Sequence, residues 1–161
     1  MHTTTRPWLQ SYPEGVPATI DVETHRSLID LLDTSFHRHA SRQAALFLGQ
    51  PISFRTIDEQ SVALGAWLQS RGLARGTRVA LMMPNLPQYM VALAAVLRAG
   101  LIVVNVNPLY TARELQHQLV DSGAEAIVIL ENFAGTLAEV LHQTPVKHVV
   151  LAAMGDMLPP W

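Results

Sequence analysis

Hydrophobic residues in the second half of the chain fall into short, nearly continuous runs, separated by longer segments whose apolar side chains recur every three or four positions. Short runs rich in β-branched residues are typical of buried strands, and the longer spacing is typical of helices. Strands that alternate with helices of about 10–15 residues predict an α/β fold, with a layered, mostly parallel sheet and helices on both faces. The predicted strands are residues 78–82, 101–106, 126–130 and 147–152.

Capping signals mark where the predicted helices begin and end. The clearest is a capping box in which Thr111 accepts from a helical amide and Glu114 reaches back to the Thr111 amide. The predicted helix starts carry a capping side chain: Thr56, Asn85, Thr111 and Asn132. The predicted helix ends carry a glycine: Gly72, Gly100 and Gly123. Between Tyr89 and Leu97 there is no charged side chain, so this segment is predicted to be a core helix that needs no ligand.

The N-terminal part carries weaker signals. Ser27 precedes an amphipathic helix that ends near residue 40, and residues 44–48 and 52–55 flank Gly49-Gln50-Pro51 as a small hairpin. Residues 1–23 are predicted to be an extended arm on a surface, since prolines every few positions forbid a helix. A partly disordered leader is the alternative. The predicted division is therefore an arm over 1–23, an α/β domain over 24–154 and a tail over 155–161.

Composition narrows the class of protein. The chain has 161 residues, 49% of them hydrophobic, and a formal net charge of −2 with a single lysine, Lys147. These values fit a domain with a real core and argue against a nucleic-acid partner. No cysteine is present, which excludes disulfides and thiol chemistry. We find no apolar stretch of signal-peptide type at the start and none of the roughly 20 residues that a membrane span needs.

Motifs for catalysis or phosphate binding are missing from these residues. There is no GxxxxGK[ST], GxGxxG or GxSxG pattern. His37 and His39 are two positions apart and diverge on a helix, so no metal site is predicted. The nearest carboxylate pairs are interpreted as solvated or helix-start acids rather than a catalytic pair. Those pairs are Asp30 with Asp33 and Asp58 with Glu59.

The turn from Asn105 to Tyr110 is the remaining candidate. It follows a predicted parallel strand at its carboxyl end, where open α/β sheets bind their ligands. Asn105, Asn107 and Tyr110 are polar side chains that a ligand would use, next to the free amides of a helix start. The purely structural alternative is that the asparagines and Pro108 form a tight turn and that Tyr110 packs. The pattern alone leaves both open.

The run MPNLPQYMVALAAVLRAGLIVVNVNPLYTARELQHQLVDSGAEAIVI resembles bacterial long-chain fatty acid–coenzyme A ligases of the acyl-adenylate-forming superfamily. The resemblance covers nearly the whole chain, and VVNVNPLYTARELQHQL is its most specific part. Two positions depart from it, because such ligases usually have proline where this chain has Met90 and Ala112. The resemblance implies the first portion of the N-terminal domain of such an enzyme, with the Asn105, Asn107, Pro108 and Tyr110 turn beside the coenzyme A pocket.

The same resemblance implies a reaction that uses ATP, magnesium and coenzyme A to convert a fatty acid into its thioester. Residues 1–161 lack the phosphate loop, adenine motif, ribose aspartate and catalytic lysine of that family, so no catalytic residue is assigned and the chain alone is expected to be inactive. The absence of targeting signals predicts a cytoplasmic location, and the apolar substrate of the family implies loose attachment to the inner face of the membrane. Two alternatives remain from the residues: a non-enzymatic interaction module that self-associates through exposed core surface, and a small cofactor-binding domain.

Overall fold

The computed structural model describes residues 6–159, so Met1–Thr5 of the predicted arm and Pro160–Trp161 of the predicted tail lie outside the described residues. The five α-helices of this part are α1 (Leu28–Arg38), α2 (Phe54–Ser70), α3 (Pro87–Arg98), α4 (Ala112–Ser122) and α5 (Ala134–Val140). The six strands are β1 (Gln43–Phe47), β2 (Gln50–Ser53), β3 (Arg78–Met82), β4 (Ile102–Asn105), β5 (Ala126–Leu130) and β6 (His148–Ala152). Short 3-10 helices occupy Pro7–Ser11, Glu131–Phe133 and Leu141–Gln143.

Strands β3 to β6 form a parallel sheet in the order β4-β3-β5-β6, and β1 pairs with β2 as a separate antiparallel hairpin. The predicted α/β class, parallel sheet and N-terminal hairpin are thereby confirmed. The prediction that residues 101–106 are covered on both faces is wrong, since Ile102 is 46% exposed. The reason is the strand order: β4 is an edge strand, whereas every residue of β5, which has a neighbour on each side, is buried.

Successive side chains of a strand point to opposite sides of the sheet. Helices pack against the apolar side chains on both of these faces. On one face Val128 and Leu130 of β5 join a core cluster with α2 and α3. On the other face Ile127 and Ile129 join α4 and α5. The helix predicted from its uncharged sequence, α3, does lie in the core, with Val91, Ala92, Ala94, Ala95 and Val96 buried.

A third core cluster lies between the N-terminal elements and α3. It contains Phe36 of α1, Ile52 of β2 and Ile57 of α2, packed against Val91 and Ala94. The hairpin turn differs from the predicted Gly49-Gln50-Pro51, because Leu48 (φ 48°) and Gly49 (φ 78°) form it. Two positive φ values in a two-residue connection match the right-handed twist of paired strands. Gln50 and Pro51 therefore belong to β2.

The predicted helix caps have mixed outcomes. The Thr111 and Glu114 capping box is confirmed in both directions. The Thr56 cap is wrong, because α2 begins two residues earlier and the Ser53 side chain accepts from the Thr56 amide at 3.1 Å. Asn85 and Asn132 cap nothing: α3 starts after Leu86 with Pro87 in its first turn, and a 3-10 helix precedes α5. The predicted glycine ends at Gly72, Gly100 and Gly123 all have positive φ.

The arm prediction is wrong over Pro7–Ser11, which form a 3-10 helix with proline at its start. A proline tolerates this position because its missing amide would have no helical partner. The aromatic rings of this segment are not enclosed by the rest of the described chain, since Trp8 is 54% exposed and Tyr12 is 42% exposed. The division at residues 23 and 155 stays a prediction. Every helix within residues 6–159 is too short or too polar to cross a membrane.

Candidate functional site

The Asn105–Tyr110 turn leaves the carboxyl end of β4 and leads into α4. Asn105, Asn107 and Leu109 are exposed, whereas Pro108 and Tyr110 are half-buried. Tyr110 packs against the core cluster on the α4 side of the sheet. The four residues predicted to line a ligand site therefore lie in one continuous turn.

Two helices from opposite faces of the sheet hold the Asn105 end of this turn. The Tyr89 hydroxyl of α3 donates to Asn105 Oδ1 at 2.8 Å, and Gln118 Nε2 of α4 donates to the Asn105 main-chain oxygen at 2.9 Å. The Val106 amide donates to the Leu81 oxygen of β3 at 3.0 Å. Because β4 is an edge strand, these side chains fix a strand end that lacks a second neighbouring strand.

Asn107 is used within the turn itself. Its Oδ1 accepts from the Leu109 amide at 3.0 Å, and its main-chain oxygen accepts from the Tyr110 amide at 3.2 Å. Such side chain–backbone bonds are the usual way asparagine stabilises a turn. For Asn107 and Pro108 the geometry agrees with the turn-forming alternative, whereas Asn105 keeps an exposed amide.

A surface groove of about 760 Å³, lined mainly by polar residues, runs along most of the length of α4. Two acceptor bonds anchor Glu114 beside it: the Thr111 amide and the Thr111 hydroxyl each donate to Glu114 Oε2 at 2.8 Å. The amide bond, and then the hydroxyl bond, hold the pKa of Glu114 below its usual range. The lining residues are Tyr110, Thr111, Arg113, Glu114, His117, Gln118 and Asp121.

A second, smaller groove of about 230 Å³ lies between the hairpin and the start of α3. Its lining is mainly apolar and includes Leu46, Phe47, Leu86 and Met90. Tyr89 also lines this groove, while its hydroxyl contacts Asn105. Tyr89 thus links the apolar groove to the turn.

Tyr89 and Gln118 were missed by the reasoning from sequence. Tyr89 was assigned to a core helix on the basis of its apolar neighbours, but it is half-buried and its hydroxyl is engaged. The hydroxyl of Tyr89, a polar group inside an otherwise apolar stretch of sequence, could have indicated this hydrogen bond. Gln118 follows Glu114 by one helical turn and is half-buried, and its sequence position gives no hint of a bond to a preceding strand.

The strand order also locates the sheet's crevice more closely. The order β4-β3-β5-β6 reverses between β3 and β5, and ligands of open α/β sheets bind at such a reversal, outside the carboxyl ends of the strands. The Asn105 turn lies at the same end of the sheet, one strand further out. The segments at the reversal itself are Met83–Asn85 and Glu131–Asn132.

Other chemical groups in the described part serve structure. Asp33 and Asp58, members of the two carboxylate pairs, both accept from Arg98. His37 Nδ1 lies 2.8 Å from the Asp33 main-chain oxygen. Within residues 6–159 no three histidine, aspartate or glutamate side chains gather as a metal site.

Comparison with known proteins defines the class. The AMP-binding enzyme family matches residues 32–160. The chain belongs to this family of AMP-binding enzymes. A long-chain-fatty-acid–CoA ligase of Yersinia pestis is 55% identical over 152 residues, and one of Bacillus subtilis is 34% identical over 154 residues. The chain spans 27% of the length of each of these relatives.

Solved structures agree with the fold. A long-chain-fatty-acid-CoA ligase from Archaeoglobus fulgidus matches with a TM-score of 0.71 at 25% identity, covering 78% of this chain and 27% of that one. The anthranilate CoA ligase AuaEII in complex with anthranoyl-AMP matches with a TM-score of 0.73 at 19% identity. That second match covers 77% of this chain and 24% of the other, and it supports the fold alone.

Proposed function

We propose that residues 1–161 are the opening portion of the N-terminal domain of a long-chain fatty acid–coenzyme A ligase. In this proposal the whole enzyme joins a fatty acid to ATP as an acyl-adenylate with loss of pyrophosphate. The coenzyme A thiol then attacks the acyl carbon and AMP leaves. The similarity to ligases of that description over 94% of the chain supports this substrate class.

The part of the reaction closest to this chain is the thiol substrate. Asn105, Asn107, Pro108 and Tyr110 are proposed to line the coenzyme A pocket. The observation that carries this proposal is the double anchoring of Asn105, because a strand-end turn held from both faces of a sheet provides a rigid wall. These residues position substrate and carry out no bond-making step.

The residues of this chain do not fit ATP or its magnesium ion. The sequence has no Ser/Thr/Gly-rich loop with a lysine, and the described part groups no metal-binding side chains. We therefore assign nucleotide and magnesium binding to other parts of the enzyme. The 161-residue chain alone is expected to catalyse neither half of the reaction.

Pyrophosphate exchange tests the proposal. The protein encoded by the whole reading frame that contains these residues should incorporate labelled pyrophosphate into ATP in the presence of palmitate, and should form palmitoyl-CoA when coenzyme A is added. The purified 161-residue chain should do neither. Exchange by the 161-residue chain, or no palmitoyl-CoA from the whole protein, would contradict it.

We also propose that the enzyme works in the cytoplasm, loosely attached to the inner face of the membrane. The supporting observation is a basic edge at the amino ends of the strands. Arg71, Arg75 and Arg78 are exposed within eight residues, and none forms an ion pair within residues 6–159. Trp67 lies 4.9 Å below the Arg71 guanidinium, and Ile102 is exposed beside Arg78. Arginine and tryptophan together favour an anionic lipid interface.

Vesicle sedimentation tests this attachment. The whole protein should pellet with vesicles that contain anionic lipid, and less so with neutral vesicles or at high salt. When Arg71, Arg75 and Arg78 are replaced by glutamine, the protein should pellet to the same extent with anionic and with neutral vesicles. Binding that is equal for both vesicles in the original protein would contradict the proposed attachment.

Self-association of the 161-residue chain is a second candidate property. Strand β6 is the other edge of the sheet, and it exposes Val149 (38%) and Leu151 (59%) on one face. An unpaired edge with exposed apolar side chains is a template for pairing. The occupant that we propose is a second copy of β6.

A further inference from the structure

We infer that Tyr89 and Gln118 are positioning residues for the thiol substrate, and that they fix Asn105 so that its side-chain amide donates to a carbonyl oxygen of coenzyme A. This inference rests on the proposed function, because it assumes that the Asn105 turn lines the coenzyme A pocket. It extends that function by assigning a donor and the two side chains that orient it.

The hydrogen bond from Tyr89 fixes the direction of the Asn105 side-chain amide. An asparagine side chain has an acceptor oxygen and a nitrogen with two donor hydrogens. Because the Tyr89 hydroxyl donates to Asn105 Oδ1 at 2.8 Å, the oxygen faces α3 and the nitrogen faces away from it. Asn105 Nδ2 has no protein acceptor in the part of the chain that is described, and the residue is exposed. Its two hydrogens remain for a ligand.

Gln118 holds the main chain at the same residue. Gln118 Nε2 donates to the Asn105 oxygen at 2.9 Å, across the sheet from Tyr89. Gln118 Oε1 is buried without a protein partner in the described residues. The side chain therefore forms a hydrogen bond through its nitrogen but none through its oxygen. A buried acceptor without a partner costs stability. Gln118 keeps its hydrogen bond to the Asn105 main-chain oxygen in spite of that cost. Tyr89 therefore sets the amide rotation, and Gln118 sets the strand end that carries it.

The neutral donor at Asn105 suits one part of coenzyme A. The long arm of coenzyme A is neutral and contains two amide groups whose oxygens are acceptors. A neutral N–H donor at a turn suits such a carbonyl, whereas the phosphates of the same molecule favour arginine or lysine. No basic side chain belongs to the Asn105–Tyr110 turn. The arm, and not the nucleotide end, is the part of coenzyme A assigned to Asn105.

Steady-state kinetics of the whole protein test the inference. Tyr89→Phe removes only the hydroxyl, and it should raise KM for coenzyme A about fivefold, the effect of one orienting hydrogen bond. Gln118→Met should raise it by a similar factor. Asn105→Asp, which replaces the donor by an acceptor, should raise it by at least about tenfold. Palmitate-dependent pyrophosphate exchange, which uses no coenzyme A, should keep its rate in all three variants.

Matched controls remove the same groups elsewhere. Tyr12→Phe deletes the hydroxyl of an exposed tyrosine, and Gln116→Met deletes an amide of α4 that donates to Gln143 Oε1. Both should leave KM for coenzyme A unchanged. An unchanged KM in Tyr89→Phe and Asn105→Asp, or an equal loss of pyrophosphate exchange and thioester formation, would overturn the positioning role. Failure of the original protein to make palmitoyl-CoA would instead overturn the proposed function.

Discussion

Arg98 at the end of α3 donates to the Asp33 carboxylate of α1 over 2.6 Å, and the same nitrogen donates to Asp58 of α2. Its guanidinium also lies 5.4 Å from the centre of the Phe36 ring. The Arg98 side chain is only 17% exposed. One arginine therefore joins three helices around the N-terminal core cluster.

Replacing Arg98 by methionine should lower the free energy of unfolding by about 2–3 kcal/mol, because it removes two charge-assisted hydrogen bonds and leaves two acids without their partner. The loss is smaller than for a fully buried pair because Asp33 is 45% and Asp58 is 26% exposed, and water screens their charges. Urea unfolding followed by circular dichroism measures the change.

Arg71→Met is the matched control. Arg71 also lies over an aromatic ring, at 4.9 Å from the centre of Trp67, but it is exposed and has no carboxylate partner within residues 6–159. Its loss should cost less than about 1 kcal/mol. Equal losses for the two arginines would show that the ion pairs with Asp33 and Asp58 contribute nothing.

Glu114 gives stability a defined pH dependence. Because hydrogen bonds from Thr111 lower its pKa in the folded chain, the unfolded chain binds its proton more tightly. The stabilising contribution is therefore present above the ordinary value of 4.5 and is lost as the pH falls through the lowered folded pKa. Unfolding midpoints for the original chain and Glu114→Gln should differ most at neutral pH and converge in acid.

Thr111→Ser serves as the control for that profile, because serine keeps the hydroxyl that donates to Glu114. The difference in unfolding midpoint between Thr111→Ser and Glu114→Gln should depend on pH in the same way as the difference between the original chain and Glu114→Gln. Thr111→Val, which removes the hydroxyl and its capping bond, should reduce the difference and cost about 1 kcal/mol at neutral pH. A constant gap between Glu114→Gln and the original chain from neutral to acid pH would contradict the assignment.

Gly65 marks a close approach of two helices. A Cβ atom at this position of α2 would lie 3.2 Å from the Ala95 main-chain oxygen of α3. Gly65→Val should therefore destabilise the chain by about 1–3 kcal/mol through overpacking. Gly135→Ala in α5, where a Cβ meets nothing within 4 Å, should be neutral or stabilising by up to about 1 kcal/mol. Thermal unfolding of the two variants compares them, and a stable Gly65→Val would disprove the close contact.

The features that could be predicted from sequence are local ones. The partners in the Thr111 and Glu114 capping box are three positions apart, so they are visible in the sequence itself, and the same holds for the glycine helix ends. Asn85 is of a residue type that caps helices, but α3 begins at Pro87 and the N-cap position is occupied by Leu86. A capping residue type therefore predicts a helix start only where the backbone geometry agrees.

The features that were missed depend on tertiary arrangement. Arg98 and Asp33 are 65 positions apart, and Tyr89 and Asn105 are 16 positions apart. The edge position of β4 follows from the order in which strands pair, which alternating hydrophobicity does not encode. The candidate turn was found from sequence because it follows a strand end, but its anchors come from helices on opposite faces of the sheet.

The open edge at β6 should make the 161-residue chain associate. In a symmetric dimer the two β6 strands would pair antiparallel, which places Val149 and Leu151 of the two copies beside each other and gives the backbone groups of both edges hydrogen-bond partners. Leu151→Lys places a charge on this edge and should shift the chain to monomer, as measured by sedimentation equilibrium over a range of concentrations. Leu109→Lys is the control, because Leu109 is 82% exposed in the turn after β4, away from β6, and its replacement should leave association unchanged. A chain that is monomeric at every concentration, or a dimer that survives Leu151→Lys, would rule out pairing through β6.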